Sequence, residues 1–235
     1  MPDDWCTVGD GLKALMVGRL SVDDRYKGVD VLIEAIAKAR GDGAKVHLSV
    51  VGDGNDRRRL RELTSRLGLD GSVTFLGAVS DAKLHHLYQA CDVFAMPSKG
   101  EGFGFVFLEA MRYGKPCIGG NFGGTPEVID HGMDAYLVNY GDVDQLTRYM
   151  LELSRSPALR QDMGLKAFEK VQARYLFSQM RDNWFHLLDE ILERSWIASG
   201  GTVAGPPCRG FQGGASSTAG SDSIWEKIDR TNEPP

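Results

Sequence analysis

Residues 93–138 read VFAMPSKGEGFGFVFLEAMRYGKPCIGGNFGGTPEVIDHGMDAYLV. Three short apolar runs stand out: 93–96, 116–119 and 135–138. Each is apolar on successive residues instead of alternating with polar ones. That pattern marks strands buried on both faces, which belong to parallel sheets covered by helices. The segments between the runs supply those helices. Residues 105–113 form one ending at Gly114, and a shorter one starts at Pro126, a residue suited to a first helical position.

The alternation continues outward. Upstream it begins at Lys13, with a strand predicted over 15–20 (LMVGRL). Val29, Leu32, Ile33 and Ile36 then recur at i, i+3, i+4 and i+7, predicting a helix that ends at Gly41 or Gly43. A strand follows over 46–51, and a helix over 56–67 with Leu60, Leu63 and Leu67 on one face and Gly68 as its stop. Next come a short strand over 73–76 and a helix capped by Ser80 that carries Leu84, Leu87 and Tyr88. Downstream of residue 138 only helices are predicted: 143–154, 157–175, and 178 to about 194. Strands alternating with helices define a doubly wound, Rossmann-like α/β domain. Its expected span is 13–196. Residues 1–12 read as the end of an interdomain linker. Residues 197–235 read as a low-complexity tail, rich in Gly, Ser, Ala and Pro up to about residue 220, with one helical turn over 223–229.

Composition excludes several classes. The 235 residues carry a formal net charge of -5, so no global field draws in nucleic acid. Hydrophobic content of 42% and charged content of 25% are those of a soluble globular protein. None of the four cysteines, Cys6, Cys91, Cys117 and Cys208, forms a C-x-x-C or stands at zinc spacing from histidine. Their usage fits a reducing cytoplasm. The acidic first ten residues lack the apolar core of a signal peptide. No apolar run reaches the ~20 residues of a membrane span.

In open parallel sheets, ligands bind at the carboxyl ends of the strands. Three loops there hold chemistry. After the first strand come Gly18, Arg19 and then Arg25-Tyr26-Lys27-Gly28, cations beside a helix N-terminus that suit a diphosphate. After 93–96 comes PSKGEGFG, with Gly100, Gly102 and Gly104 allowing close backbone approach to a ligand, and Glu101 in the mouth. Glu109 follows on the helix, within an apolar stretch, as a carboxylate able to accept paired hydrogen bonds from a vicinal diol. After 116–119 comes a third glycine-rich loop, GGNFGGTPE (119–127).

Glu101 and Glu109, with seven residues between them, resemble the E-x7-E signature of retaining GT-B glycosyltransferases. The surrounding run 96–130 resembles the donor-site core of the group-one family of that fold, and 17–35 (VGRL…KGVDVLIEA) resembles its phosphate-binding segment. The resemblance covers about residues 13–194. It implies that Arg19 and Lys27 bind the donor's diphosphate and stabilise it as it leaves. It implies that Glu101, with the backbone of Gly102, Phe103 and Gly104, holds the donor sugar hydroxyls. Glu109 would bind the ribose diol, and the backbone near Leu76 and Gly77 would face the base. The implied reaction is transfer of a hexose from a nucleotide-diphosphate sugar, with retention and without a metal or cofactor, to a glycan or glycolipid acceptor. The family pairs two such domains, so a separate acceptor domain or self-association is expected, and the chain alone is expected to be incomplete.

Other features have plainer readings. Asp142-Val143-Asp144 matches the D-x-D of metal-dependent transferases, but it stands where a helix starts and reads as a cap. Arg57, Arg58, Arg59, Arg61 and Arg66 read as a solvated helix face, with docking on an anionic membrane surface as the sharper alternative. His85 and His86 read as surface residues and His131 as a turn residue. Trp184, Phe185, Leu188 and Ile191 read as core or interface. A non-catalytic sugar-nucleotide-binding module is the alternative function. A dehydrogenase is disfavoured because no G-x-G-x-x-G follows the first strand. The E-x7-E spacing and the Arg19/Lys27 pair also disfavour an epimerase.

Overall fold

The computed structural model describes residues 11–198. The 1–10 linker segment, most of the predicted tail (199–235), Cys6 and Cys208 lie outside the described residues. The chain divides into two units, one through Ala173 and one from Arg174.

The first unit is a six-stranded sheet in the order β3-β2-β1-β4-β5-β6. The strands are β1 Leu12–Val17, β2 Val46–Val51, β3 Val73–Gly77, β4 Val93–Met96, β5 Cys117–Gly120 and β6 Ala135–Val138. Every pairing between neighbouring strands is parallel. The helices are α1 Val29–Gly41, α2 Arg57–Arg66, α3 Asp81–Ala90, α4 Phe105–Arg112, α5 Thr125–Val128, α6 Val143–Arg155 and α7 Pro157–Arg174. Leu15, Leu48, Phe94 and Ile118 of the sheet are buried, as are Leu32, Ile33, Ile36 and Phe107 of the helices. Phe94 and Phe107 meet edge to face at 5.5 Å.

Two boundaries differ from the sequence reading. β1 starts and ends three residues earlier than 15–20, because all six residues Leu12–Val17 pair with Val46–Val51. Gly18 and Leu20 have left the strand as a loop that still donates to the carbonyls of Val51 and Asp53, both at 3.0 Å. Leu20 is apolar because it is buried, at 2% exposure, and not because it is in a strand. A two-turn 3-10 helix, Val22–Lys27, fills what the sequence left as loop. The predicted cap at Ser80 is present: its hydroxyl accepts from the Lys83 amide at 3.4 Å.

The second unit is α8, Phe177–Ala198. Trp184, Phe185, Leu187 and Ile191 are exposed on it, whereas Leu188 is half-buried. Among the described residues no helix is long and apolar enough to cross a membrane.

Candidate functional site

The strand order reverses direction between β1 and β4, so their carboxyl ends open a crevice at the topological switch point. The loops after β1, β4 and β5 meet there. The Lys99 amide donates to the Tyr26 carbonyl at 2.6 Å, joining the first two loops. The Gly124 amide donates to the Glu101 carbonyl at 2.8 Å, joining the second and third. A Cβ added at Gly120 would stand 1.7 Å from the Ser98 carbonyl oxygen, and one at Gly123 2.5 Å from the Glu101 carbonyl oxygen. Those glycines let the β4 and β5 loops touch backbone to backbone. Gly100 and Gly102 differ: a Cβ at either would meet nothing within 4 Å.

Arg19 and Lys27 come together on a residue the sequence reading did not single out, Asp24. Its side chain is 4% exposed. The Ser21 hydroxyl donates to its Oδ2 at 2.5 Å. Arg19 reaches its Oδ1 at 3.3 Å and Lys27 at 3.5 Å. The Ser21 hydrogen bond and the two cations hold the Asp24 carboxyl below its usual range, against burial. The side chain of Lys27 is 13% exposed and that of Arg19 80%, so one cation is set into the crevice wall and the other lies largely in solvent.

Glu101 stands across the mouth. Burial raises its pKa, and its nearest charges are Lys27, which lowers it, and Asp24, which raises it. Glu101 thus belongs to the same electrostatic cluster as the diphosphate cations expected from the sequence. Its Oε1 is buried with no hydrogen-bond partner among the described residues, as are Ser98 Oγ below it and Thr125 Oγ1 at the start of α5. Unused buried acceptors of this kind point to a ligand or ordered water.

Glu109 sits apart from that cluster. One turn into α4, it is an exposed residue whose carboxyl end is crowded by protein, and burial raises its pKa. The Tyr88 hydroxyl donates to its Oε2 at 2.8 Å and pulls the pKa back down. Tyr88 stacks on Tyr113 at 5.8 Å, and Tyr113 in turn is 2.5 Å from His85 Nδ1. Glu109 therefore has one oxygen committed to a side chain of α3. Leu76 and Gly77 end β3, two strands from β1. The Gly77 carbonyl accepts from the Gly52 amide at 2.8 Å, and Arg57 lies beside it, donating to the Phe75 carbonyl at 3.1 Å.

The plainer readings fare as follows. Asp142 is a helix cap, accepting from the Gln145 amide at 2.9 Å, and Asp144 pairs with Lys38. His131 is a turn residue that accepts from the Leu137 amide at 2.9 Å. Of the α2 arginines, Arg58, Arg61 and Arg66 are exposed as expected, whereas Arg57 and Arg59 are half-buried. Arg59 is clamped by Asp56 at 2.6 Å and Asp30 at 3.0 Å, and Arg57 bridges to Asp53 at 3.0 Å. Arg58 pairs with Glu62 at 2.8 Å, and Arg61 lies over the Phe75 ring. Cys91 and Cys117 are buried free thiols, and burial pushes Cys91 up to about 12, which leaves it without thiolate character. A concavity of about 550 Å3 between α1 and α6 has mixed charges, Lys38, Asp42, Arg148 and Glu152 among them, and includes none of the crevice residues.

A parallel sheet with three loops gathered at its switch point is the architecture of a GT-B glycosyltransferase half-domain. The chain belongs to the glycosyl transferases group 1 family, whose model matches residues 7–170. It is 36% identical over 158 residues to a GDP-mannose-dependent alpha-(1-6)-phosphatidylinositol monomannoside mannosyltransferase of Mycobacterium tuberculosis, covering 63% of this chain and 40% of that protein. It is 34% identical over 151 residues to N-acetyl-alpha-D-glucosaminyl L-malate synthase of Bacillus anthracis, covering 64% and 39%. The crystal structure of Anabaena Alr3699/HepE in complex with UDP-glucose superposes with a TM-score of 0.70 at 27% identity, over 79% of this chain and 50% of that one. The chain thus spans about two fifths of the length of these two curated relatives.

Proposed function

We propose that this chain is the donor half of a retaining hexosyltransferase, holding a nucleotide-diphosphate sugar for transfer to a glycan or lipid-linked acceptor. The observation that carries the reading is the convergence of Arg19, Lys27 and Glu101 around one crevice at the switch point. Two cations of fixed charge suit a diphosphate, and they favour it more as negative charge builds on the leaving group. The unpartnered Oε1 of Glu101 accepts a sugar hydroxyl, and the backbone of Gly102, Phe103 and Gly104 borders the sugar. Gly102 has the open space that approach needs. Glu109 takes the ribose diol with the oxygen that Tyr88 leaves available, and the strand end at Leu76 and Gly77 faces the base. Because Arg19 and Lys27 stabilise the leaving diphosphate, the reaction proceeds without a metal or cofactor. The relative that uses GDP-mannose and the neighbour bound to UDP-glucose both support a sugar nucleotide as the ligand. A cytoplasmic setting, peripheral to a membrane where the acceptor is lipid-linked, fits this reading.

Calorimetric titration of the chain with UDP, GDP and ADP, and with their hexose conjugates, tests it. Binding of one nucleotide in the presence of EDTA, weakened in both Lys27→Ala and Glu109→Ala, is the expected result. A folded chain that binds none of the six ligands would sink the proposal.

A further inference from the structure

We infer that Asp24 is a positioning residue of this crevice: its carboxylate holds the Lys27 ammonium and the Arg19 guanidinium where a diphosphate can meet them. The inference rests on the diphosphate reading above and adds a residue to it.

A carboxylate with 4% of its side chain exposed is costly unless it is paired and hydrogen-bonded. Asp24 is both, and the two oxygens divide the work. Oδ2 takes the 2.5 Å hydrogen bond from Ser21. Oδ1 faces Arg19 at 3.3 Å, Lys27 at 3.5 Å and the Tyr26 hydroxyl at 3.5 Å. Those distances are long for charge-assisted hydrogen bonds, which settle near 2.7–2.9 Å. The cations are therefore oriented without being saturated. An ammonium has three donors and a guanidinium five, so most remain for a ligand.

Asp56, a few residues away in the fold, shows the contrasting design. It takes Arg59 on both oxygens at 2.6–3.0 Å and Arg25 at 2.6 Å. That carboxylate consumes its arginines and clamps the same 3-10 helix to α2. Asp24 does something different with its own cations.

The backbone explains why Asp24 and Lys27 face one another. Both lie in the 3-10 helix Val22–Lys27, where side chains at i and i+3 eclipse. The Lys27 stem runs along Gly18, where an added Cβ would stand 3.2 Å from Lys27 Cδ. With the stem confined on one side and Asp24 on the other, the ammonium has one place to be. Glu101 is the next charge it meets.

The full chain tests the inference with two variants and a double-mutant cycle. In calorimetry, Asp24→Asn is expected to bind the preferred nucleoside diphosphate about tenfold more weakly, on the scale of one charged hydrogen-bond partner. Binding of the matching nucleoside, followed by chemical-shift titration, stays unchanged. In a Lys27→Met background the same change falls to within about twofold, as coupled residues require. Ser21→Ala, which keeps the charge and removes its anchor, gives a smaller loss in the same direction and serves if Asp24→Asn does not fold. Equal losses for nucleoside and diphosphate, a full effect without Lys27, or tighter binding in Asp24→Asn would each overturn the inference. If the wild-type chain binds no nucleoside diphosphate, the proposed function fails, and the Asp24–Lys27 link is read separately in the free protein. An immobilised ammonium gives a slowly exchanging Lys27 side-chain NMR signal that both variants lose. Absence of that signal in wild type would sink the positioning role.

Discussion

Gly102 and Gly120 lie in adjacent loops of one crevice for different reasons. Gly120 abuts the Ser98 backbone, and any Cβ there collides with a carbonyl that cannot move without parting the two loops. Gly120→Ala should cost about 1–3 kcal/mol of stability in denaturant titration, the range for overpacking a filled site. Gly102→Ala, with nothing within 4 Å of the new methyl, should leave stability within about 0.5 kcal/mol. It should nevertheless weaken binding of the sugar nucleotide, where the methyl meets the sugar. Equal effects of the two substitutions on stability would show that the Gly102 backbone is not open as described. The sequence singled out Arg19, Lys27 and Glu101 by their places in strand-end loops, and it expected their roles from the family resemblance. Asp24 was not. It reads as one acid among several beside basic residues, and its i, i+3 relation to Lys27 matters only once the 3-10 helix is known.

At the scale of elements, the 3-10 helix and α2 are joined by ion pairs. Arg25, Asp56, Arg59 and Asp30 form one chain of charges, and Asp56 within it is 4% exposed. The hydrogen bond from Arg59 is the main cause that lowers the Asp56 pKa, against the opposing effect of burial, and Arg25 adds to it. A carboxyl whose folded pKa lies below its unfolded value of about 3.9 binds fewer protons when folded. Its contribution is therefore present above that pH and is lost as the pH falls through the folded pKa. Asp56→Asn should cost about 2 kcal/mol at pH 7, allowing for the partly exposed arginines. The gap in Tm between wild type and variant should close as the pH falls from the unfolded value of about 3.9 through the lower folded one. A gap that stays constant down to pH 2 would show that Asp56 acts by packing and not by charge. Sequence alone placed α2 by its leucines and read Arg58, Arg61 and Arg66 as solvated, which they are, but missed the clamp on Arg59, because its partner Asp30 comes from α1.

At the scale of the molecule, the fold was legible because a parallel sheet leaves two plain marks, apolar runs without alternation and helical periods between them. The order β3-β2-β1-β4-β5-β6 places the switch point between β1 and β4. The ends of β1 were harder to read, since Leu20 satisfies an apolar pattern while standing outside the sheet. Charge at the crevice makes a prediction that separates this site from a metal-assisted one. If Arg19 and Lys27 stabilise the diphosphate, adding magnesium to an EDTA-treated sample should change the nucleotide Kd by less than about twofold, a difference near RT. Raising ionic strength from about 0.05 M to 0.5 M should weaken binding severalfold, because Arg19, with 80% of its side chain exposed, is screened by salt. Lys27, largely shielded, should keep part of its effect, so Arg19→Ala should be the variant that loses most of the salt dependence. Binding that requires magnesium, or that ignores salt, would mean that the two cations do not carry the diphosphate, and the crevice would need another account of its charge.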